Sequence, residues 1–292
     1  MIGREAYQSL EPTGKKEEVR SKKPETVGPG TADMRVAALY DIHGNLPALE
    51  AVLQDIRQAD VGQIVVGGDV VPGPMPREAL GRLLDLGLPT HFIYGNGELA
   101  ILAQMAGERT GSVTYWGTTS GARPPESIVE IYRWTAAQLQ PEFESALAHW
   151  PKTLQLEIDG LGQVLFCHST PRSETEVFTR LTAEDRLQPL FEPLQVTVVV
   201  CGHIHMQFDR MIGTTRVVNA GSVGMPFGEP GAYWLLLGPD VQRRHTRYDL
   251  AKAAERIRAT SYPQAQDFAA HNVLQPPSEK QMLEAFSKAE LK

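Results

Sequence analysis

The sequence predicts an α/β fold, and two observations lead to this prediction. Between residues 36 and 105, strand-length apolar runs alternate three times with helical patterns. Three strand–turn–helix units in succession indicate a parallel sheet that is covered on both faces. After residue 150, several short apolar runs are separated by turn residues, which predicts a second, mostly antiparallel sheet.

The first half of the chain supplies the parallel sheet. Strands are predicted at 36–40, 63–66 and 91–94. Asn45 is placed to cap the first helix, and Pro76 suits the first turn of the second. The first helix shows apolar residues at helical spacing, namely Leu46, Leu49, Val52, Leu53 and Ile56.

The second half supplies helices and the second sheet. A hairpin turn is predicted at Asp159-Gly160, and Ser278 with Gln281 forms a capping box for a C-terminal helix. Further helices are predicted at 127–139, 141–147, 183–190 and 251–259, and strands at 154–158, 163–167, 196–201, 208–212, 216–219, 232–237 and 243–248.

The composition change near residue 33 predicts the domain organisation. Residues 1–33 are rich in Glu, Lys, Pro and Gly with almost no apolar periodicity, which predicts a disordered leader. Residues 34–292 are then expected to form a single domain. A helical excursion at about 107–150 leaves the sheet and is expected to overhang its strand ends; whether it moves as a lid is left open.

Composition excludes several functional classes. The chain has 292 residues, 42% hydrophobic and 22% charged, with a net charge of −7. This charge argues against bulk nucleic-acid binding. No apolar run is long enough to span a membrane. Cys167 and Cys201 both lie inside apolar runs, so we expect free buried thiols and a reducing cytoplasm.

Metal-ligand residue types follow the predicted strands. They comprise carboxylates, an amide and imidazoles without a thiolate, a set that suits Mn, Fe, Zn, Co or Ni. Seven ligands are too many for one catalytic ion with an open position, but they suit two ions that share a carboxylate. The seven residues are Asp41, His43, Asp69, Asn96, His168, His203 and His205.

The order of these residues resembles the calcineurin-like metallophosphoesterases, small bacterial and archaeal branches included. The motifs are D-x-H at 41–43, G-G-D at 67–69, G-N at 95–96, the isolated His168, and G-H-x-H at 202–205. The resemblance runs from about residue 36 to 224. It implies a four-layer α/β/β/α sandwich, with two mixed sheets flanked by helices and the metal site at the carboxyl ends of the strands.

The resemblance also implies a ligand set and a mechanism. Asp41, His43 and His205 would hold one divalent ion, and Asn96, His168 and His203 the other, with Asp69 bridging. A hydroxide between the ions would attack phosphorus, so that Asp69 and His203 act catalytically through the metals. Manganese is one candidate among the ions named above.

A departure from the family pattern bears on the substrate. Many members carry His directly after the motif Asn, whereas this chain has Gly97. We therefore expect weak assistance to poor leaving groups and favour a phosphodiesterase. A Gly97→His substitution is expected to leave or raise the turnover of alkyl monoesters.

Substrate contacts and rival functions complete the predictions. Asn96 and Arg172 are candidate contacts to a small phosphate ester, with a surface ion pair as the alternative role for Arg172. The rival functions are a phosphomonoesterase or nucleotide phosphatase, and a non-catalytic metal-binding scaffold for a protein partner. A nucleotide substrate and a homo-oligomer are left open.

Overall fold

The computed structural model describes residues 25–26, 35–107, 124–139 and 141–291. The strands are β1 (Glu25–Thr26), β2 (Arg35–Leu39), β3 (Val61–Val66), β4 (Thr90–Phe92), β5 (Thr153–Ile158), β6 (Gly162–Cys167), β7 (Val198–Cys201), β8 (Phe208–Ile212), β9 (Thr215–Asn219), β10 (Ala232–Leu237) and β11 (Val241–Thr246). The helices are α1 (Leu46–Gln58), α2 (Pro76–Leu84), α3 (Asn96–Met105), α4 (Glu126–Gln138), α5 (Pro141–His149), α6 (Glu184–Phe191), α7 (Leu250–Arg258), α8 (Ala265–Phe268) and α9 (Glu279–Phe286). A 3-10 turn covers Glu192–Leu194, and a π-helical turn covers Ala269–Leu274.

Two mixed sheets form the centre of the fold, which confirms the predicted fold class. The five-stranded sheet has the order β11-β10-β2-β3-β4, and the six-stranded sheet has the order β1-β5-β6-β7-β9-β8. Strands β2, β3 and β4 run parallel, as the three strand–turn–helix units predict.

The expectation of a second, mostly antiparallel sheet is wrong in two respects. Strands β6, β7 and β9 are parallel, because the segment from β6 to β7 carries α6 and crosses over instead of forming a hairpin. Strands β10 and β11 belong to the first sheet, where β10 pairs antiparallel with β2. Strand β10 is buried almost throughout, as suits an interior position, and its apolar run does not say which sheet it joins.

Side-chain alternation along the strands produces the four layers. In β2, Ala37 and Leu39 face the helix layer, whereas Val36 and Ala38, together with Tyr40 just after the strand, face the second sheet. The second sheet sends its own alternate residues into the same inter-sheet core and packs its other face against α6 and α9. Both sheets are therefore covered on both faces, and only their strand ends are free to carry a site.

The predicted helix caps are confirmed. Asn45 accepts a hydrogen bond from the Ala48 amide at 3.2 Å, and Ser278 and Gln281 form the capping box of α9. Pro76 lies in the first turn of α2.

Part of the predicted leader and excursion falls outside the described residues. Within the predicted leader, strand β1 is described and pairs with β5. The other residues of 1–33, for which disorder is predicted, lie outside the described ranges. Residues 108–123 and 140 of the excursion also lie outside them. The described part of the excursion includes α4 and α5. Among the described helices, none is long and apolar enough to cross a membrane.

Candidate metal centre

The predicted ligands lie where strands end at one edge of the two sheets. Asp41 and His43 follow β2, Asp69 follows β3, and Asn96 is the first residue of α3. In the other sheet, His168 directly follows β6, and His203 and His205 follow β7. Because the sheets pack face to face, these loops meet at the carboxyl ends of the parallel strands.

Five of the seven predicted ligands adopt the left-handed backbone conformation. Asp41, His43, Asp69, His203 and His205 have φ values of 53°, 46°, 53°, 68° and 57°. Asp and His tolerate this region better than most residues, yet it costs free energy at each position. Hydrogen bonds between loops offset that cost: the amides of Asp41 and His43 donate to the carbonyls of Gly68 and Asp69 at 3.1 and 2.9 Å.

The side chains form two neighbouring clusters, each with three candidate ligand atoms. The first consists of Asp41, His43 and His205, and the second of Asp69, His168 and His203. Asp69 lies between them, because its Oδ2 is 3.7 Å from His43 Nε2 and 3.5 Å from His168 Nε2. The first group contains the three residues predicted for one ion, and the second contains His168, His203 and the predicted bridging residue Asp69 but not Asn96. Each group could hold one divalent ion.

Each carboxylate uses one oxygen to fix itself and presents the other to the histidines. Asp41 Oδ2 accepts from the His203 amide at 2.9 Å, while its Oδ1 lies 3.4 Å from His205 Nε2. Asp69 Oδ1 accepts from the Gly97 amide at 2.7 Å, which leaves Oδ2 facing both clusters. The backbone thus positions both carboxylates without occupying the oxygen that a metal needs.

Backbone carbonyls orient three of the four imidazoles. The Nδ1 atoms of His43, His168 and His205 lie 3.3, 2.9 and 2.7 Å from the carbonyls of Pro72, Gly67 and Met225. A carbonyl accepts only from N–H, so each Nδ1 carries a hydrogen and each Nε2 is left facing the cluster, where it can coordinate a cation once it is unprotonated. This arrangement of outer partners is typical of metal-binding histidines.

Unpaired buried atoms support the fit of the site to metal ions. Asp41 Oδ1, Asn96 Oδ1 and His203 Nε2 are buried and have no hydrogen-bond partner among the described residues; Thr135 Oγ1, outside the site, shares this property. Leaving such atoms unpaired costs free energy unless a ligand completes them. The carboxylate oxygen of Asp41 and the amide oxygen of Asn96 are of the type that coordinates divalent cations.

The electrostatic field of the carboxylates favours positive charge between the clusters. Burial alone would lower the pKa of His168, but Asp69 and Asp41 outweigh it and raise that pKa to about 10. Burial would raise the pKa of Asp69, yet the surrounding imidazoles hold it well below its usual range. For His203, burial and the nearby His168 lower the pKa to about 3. The Asp69 and Asp41 carboxylates that favour a proton on His168 would attract a metal cation in its place in the same way.

Glu98 is a positioning residue that the sequence interpretation missed. Its fully buried carboxylate accepts from the amides of Asp69, Val70 and Gly95 at 2.8, 2.8 and 2.7 Å, and from Val71 at 3.2 Å. Burial and the charge of Asp69 raise the pKa of Glu98 to about 7. The signal was available, since Glu98 occupies the capping-box position three residues after Gly95.

The backbone around Gly97 argues against the expectation for Gly97→His. A Cβ on Gly97 would lie 2.0 Å from the Val71 carbonyl oxygen and 2.9 Å from Asp69 Oδ1. Even the smallest side chain therefore requires a backbone shift within the site. Gly97 is required for the close approach of α3 to the loop after β3, and a histidine there would disrupt the centre.

The predicted substrate contact of Arg172 is not supported by its placement. Its guanidinium lies 2.5 Å from Glu176 in an ion pair, and Arg172 is absent from the residues that line the cavity at the metal centre. The segment 221–224, in contrast, contacts the site directly. Ser222 Oγ donates to the Asp41 carbonyl at 2.7 Å.

A cavity of about 390 Å³ opens over the candidate ligands. His43, Asp69, Asn96, His203 and His205 form its floor. The facing wall, which we name the hood, consists of Ile128, Ile131 and Tyr132 from α4, with Tyr262, Phe268 and Met282 from the C-terminal region. A substrate bound at the centre would therefore contact side chains from segments far apart in the sequence.

Residues 34–238 match the calcineurin-like phosphoesterase superfamily domain. The chain belongs to this superfamily. The match covers more than half of the sequence and includes all seven candidate ligands. Membership supports the assignment of the chain as a metal-dependent phosphoester hydrolase, and the two clusters indicate a dinuclear divalent metal site.

Relatives extend the match beyond the family domain. An uncharacterised protein of Methanocaldococcus jannaschii is 25% identical over 249 residues, covering 78% of this chain and 94% of its own. A metallophosphoesterase of Sphaerobacter thermophilus is 25% identical with a TM-score of 0.59, covering 82% of this chain and 99% of its own. A hypothetical protein of Pyrococcus horikoshii has the same fold, with 19% identity, a TM-score of 0.67 and coverage of 84% and 100%.

Proposed function

We propose that this calcineurin-like phosphoesterase hydrolyses small phosphodiesters with two divalent metal ions. Asp41, His43 and His205 would hold one ion, Asn96, His168 and His203 would hold the other, and both ions would share Asp69. The position of Asp69 Oδ2 between both clusters is the observation that carries the proposal. When bound, the ions supply Lewis acidity and lower the pKa of a water molecule that serves as the nucleophile.

The chain's own groups hold and orient this centre. The carbonyls of Pro72, Gly67 and Met225 keep three imidazoles in the metal-binding tautomer. Glu98 fixes the backbone of Asp69, and the Gly97 amide fixes its carboxylate. Proteins use such rigid supports to keep reacting groups aligned.

The preference for diesters rests on charge and on the missing acid. A diester carries one negative charge at phosphorus, whereas a monoester carries up to two. No Lys or Arg lines the cavity in the described ranges, so a monoester dianion finds no cation there besides the metals. Gly97 also offers no proton to a poor leaving group.

The two buried free thiols fit a reducing compartment, and a cytoplasmic location stays a prediction.

The test compares a diester and a monoester of one aryl leaving group. Metal-stripped protein receives Mn, Ni, Zn, Co, Fe(II) or Mg, and Asp69→Asn and His149→Ala are measured beside it. We expect hydrolysis to return with at least one ion, to favour the diester, to be lost in Asp69→Asn and to persist in His149→Ala. Faster monoester hydrolysis would favour the phosphomonoesterase, and metal uptake without hydrolysis of either ester would favour the scaffold.

A further inference from the structure

We infer that the hood selects phosphoesters whose organic group is uncharged and largely apolar, and not polyphosphates or other polyanions. This inference rests on the proposed function, since it concerns the substrate of the same metal centre. It goes further by assigning the wall opposite the ligands as the specificity determinant. The observations that carry it are the chemistry, rigidity and charge of that wall.

The hood is apolar and aromatic on the side that faces the metal centre. Ile128, Ile131 and Tyr132 come from α4, and Tyr262 and Phe268 come from the region that follows α7. Pockets that bind small organic molecules are concave, mostly apolar and of 300–1,000 Å³, and this cavity of about 390 Å³ lies in that range. An aryl group or a short branched chain would fill it.

The hood is also rigid. Ile131, Tyr262 and Phe268 are 5%, 7% and 4% exposed, so the protein core holds them. The Tyr262 ring packs edge-on against Trp134 at 5.3 Å and against Phe268 at 6.0 Å between ring centroids. Phe227, which also lines the cavity, stacks on the His205 ring at 5.2 Å between ring centroids and adds an apolar face next to the candidate ligands. A preformed wall loses little conformational freedom when it binds a ligand.

Charge at the cavity disfavours anionic groups. Apart from the candidate ligands, Asp267 is the charged residue among the lining side chains that the structure describes, and Lys and Arg are absent from that lining. The Asp267 side chain is largely exposed and pairs with His271 at 2.8 Å. Away from the metal ions, a second phosphate or a carboxylate on the substrate would therefore meet a carboxylate and no Lys or Arg among the described lining residues. Recognition of polyphosphate, in contrast, relies on Arg and Lys.

A few uncharged polar side chains that line the cavity can orient a bound substrate. Gln264 and Asn272 line the cavity beside the apolar wall. Asn272 lies on the π-helical turn Ala269–Leu274, a rare geometry that often occurs at functional sites. These amides can donate to or accept from a neutral polar substituent, so the favoured organic group is apolar with a small polar edge.

Calorimetry on manganese-loaded protein tests the inference with ligands that carry a single organic group. The probes are methylphosphonate, phenylphosphonate and 4-carboxyphenylphosphonate. Burial of a phenyl ring in place of a methyl group is expected to tighten binding about 10- to 100-fold. The added carboxylate is expected to cancel most of that gain. Hydrolysis of an aryl diester is measured on the same sample.

Two matched variants assign the effect to the hood. Ile128 is half-buried on α4 and lines the cavity, whereas Leu86 is equally half-buried but lines a different pocket. Ile128→Lys is expected to reduce the preference for phenyl and to improve 4-carboxyphenyl binding, and Leu86→Lys is expected to change neither. Ile128→Ser gives the loss of phenyl preference without a new charge, should the lysine variant fail to fold.

The possible outcomes test this inference separately from the proposed phosphodiesterase function. Equal affinity for all three phosphonates, or a preference for the carboxylate in the wild type, with diester hydrolysis intact, would overturn the inference and leave the hydrolase standing. Failure to hydrolyse any ester with any metal would remove the proposed function. A phenyl preference that Ile128→Lys shifts and Leu86→Lys does not would establish the hood as the specificity wall.

Discussion

Replacing Gly97 with alanine is expected to loosen the metal centre while leaving every ligand in the chain. The new Cβ would lie 2.0 Å from the Val71 carbonyl oxygen, whereas ordinary contact begins near 3.4 Å. The backbone must therefore move by about 1.4 Å, the difference between these two distances. The neighbours that can move are α3, which begins with Asn96, and the loop that carries Asp69.

The expected magnitude follows from the size of that shift. Overpacking a rigid site typically costs about 1–3 kcal/mol of unfolding free energy. A displacement of about 1 Å at a catalytic site can reduce the rate about 10²-fold. We therefore expect Gly97→Ala to lower diester turnover about 10²-fold, to weaken metal binding and to lower the melting temperature.

Gly81→Ala is the matched control, because a Cβ at Gly81 meets nothing within 4 Å. Gly81 lies inside α2, where alanine is favoured over glycine by about 0.5–1 kcal/mol. The control should retain full activity and melt at a slightly higher temperature. Steady-state kinetics and thermal denaturation of both variants provide the measurement. A Gly97→Ala enzyme with wild-type activity and metal affinity would refute the steric reasoning.

Three further predictions concern the same centre. Each carboxylate oxygen of Glu98 accepts from two amides, so Glu98→Gln turns the two contacts of one oxygen into donor–donor contacts. We expect about 1–3 kcal/mol lower unfolding free energy for each amide left unpaired, measured by urea denaturation; wild-type stability would argue against the role of its carboxylate. A metal present at about 100 times its Kd should stabilise the protein by about 2.7 kcal/mol per site, and a chelator should reverse the shift in melting temperature; an unchanged melting temperature would contradict the fit of the clusters to metals. His43→Ala removes a ligand from the first cluster alone, so it should abolish one metal equivalent and reduce turnover strongly; two retained equivalents would refute the ligand grouping.

The sequence allowed the centre to be predicted because its ligands are local signals. Each follows a strand of recognisable apolar pattern, and parallel strands must present their carboxyl ends at one edge. His168 and His203 follow adjacent parallel strands, so their proximity follows from β6 pairing with β7. The left-handed backbone at Asp41 and His43 was not predicted, since only the packed loops impose it.

The features that were missed depend on contacts between distant segments. The clash at Gly97 arises because α3 approaches Val71. The distance between these two segments cannot be predicted from the local sequence of either one. The hood combines α4 with residues 262–282, whose helical patterns resemble those of any surface helix. Arg172 pairs with Glu176, four residues away, and sequence alone could not choose between that pair and a substrate phosphate.

The number of metal ions bound per chain tests the dinuclear centre most directly. Protein stripped of metal is dialysed against excess manganese, freed of unbound ions and measured for manganese and protein content, with Asp69→Asn beside it. Two ions per wild-type chain, with a reduced number in Asp69→Asn, is the predicted result. One ion, or none, in a folded wild-type chain would contradict the shared role of Asp69 and the two-cluster arrangement.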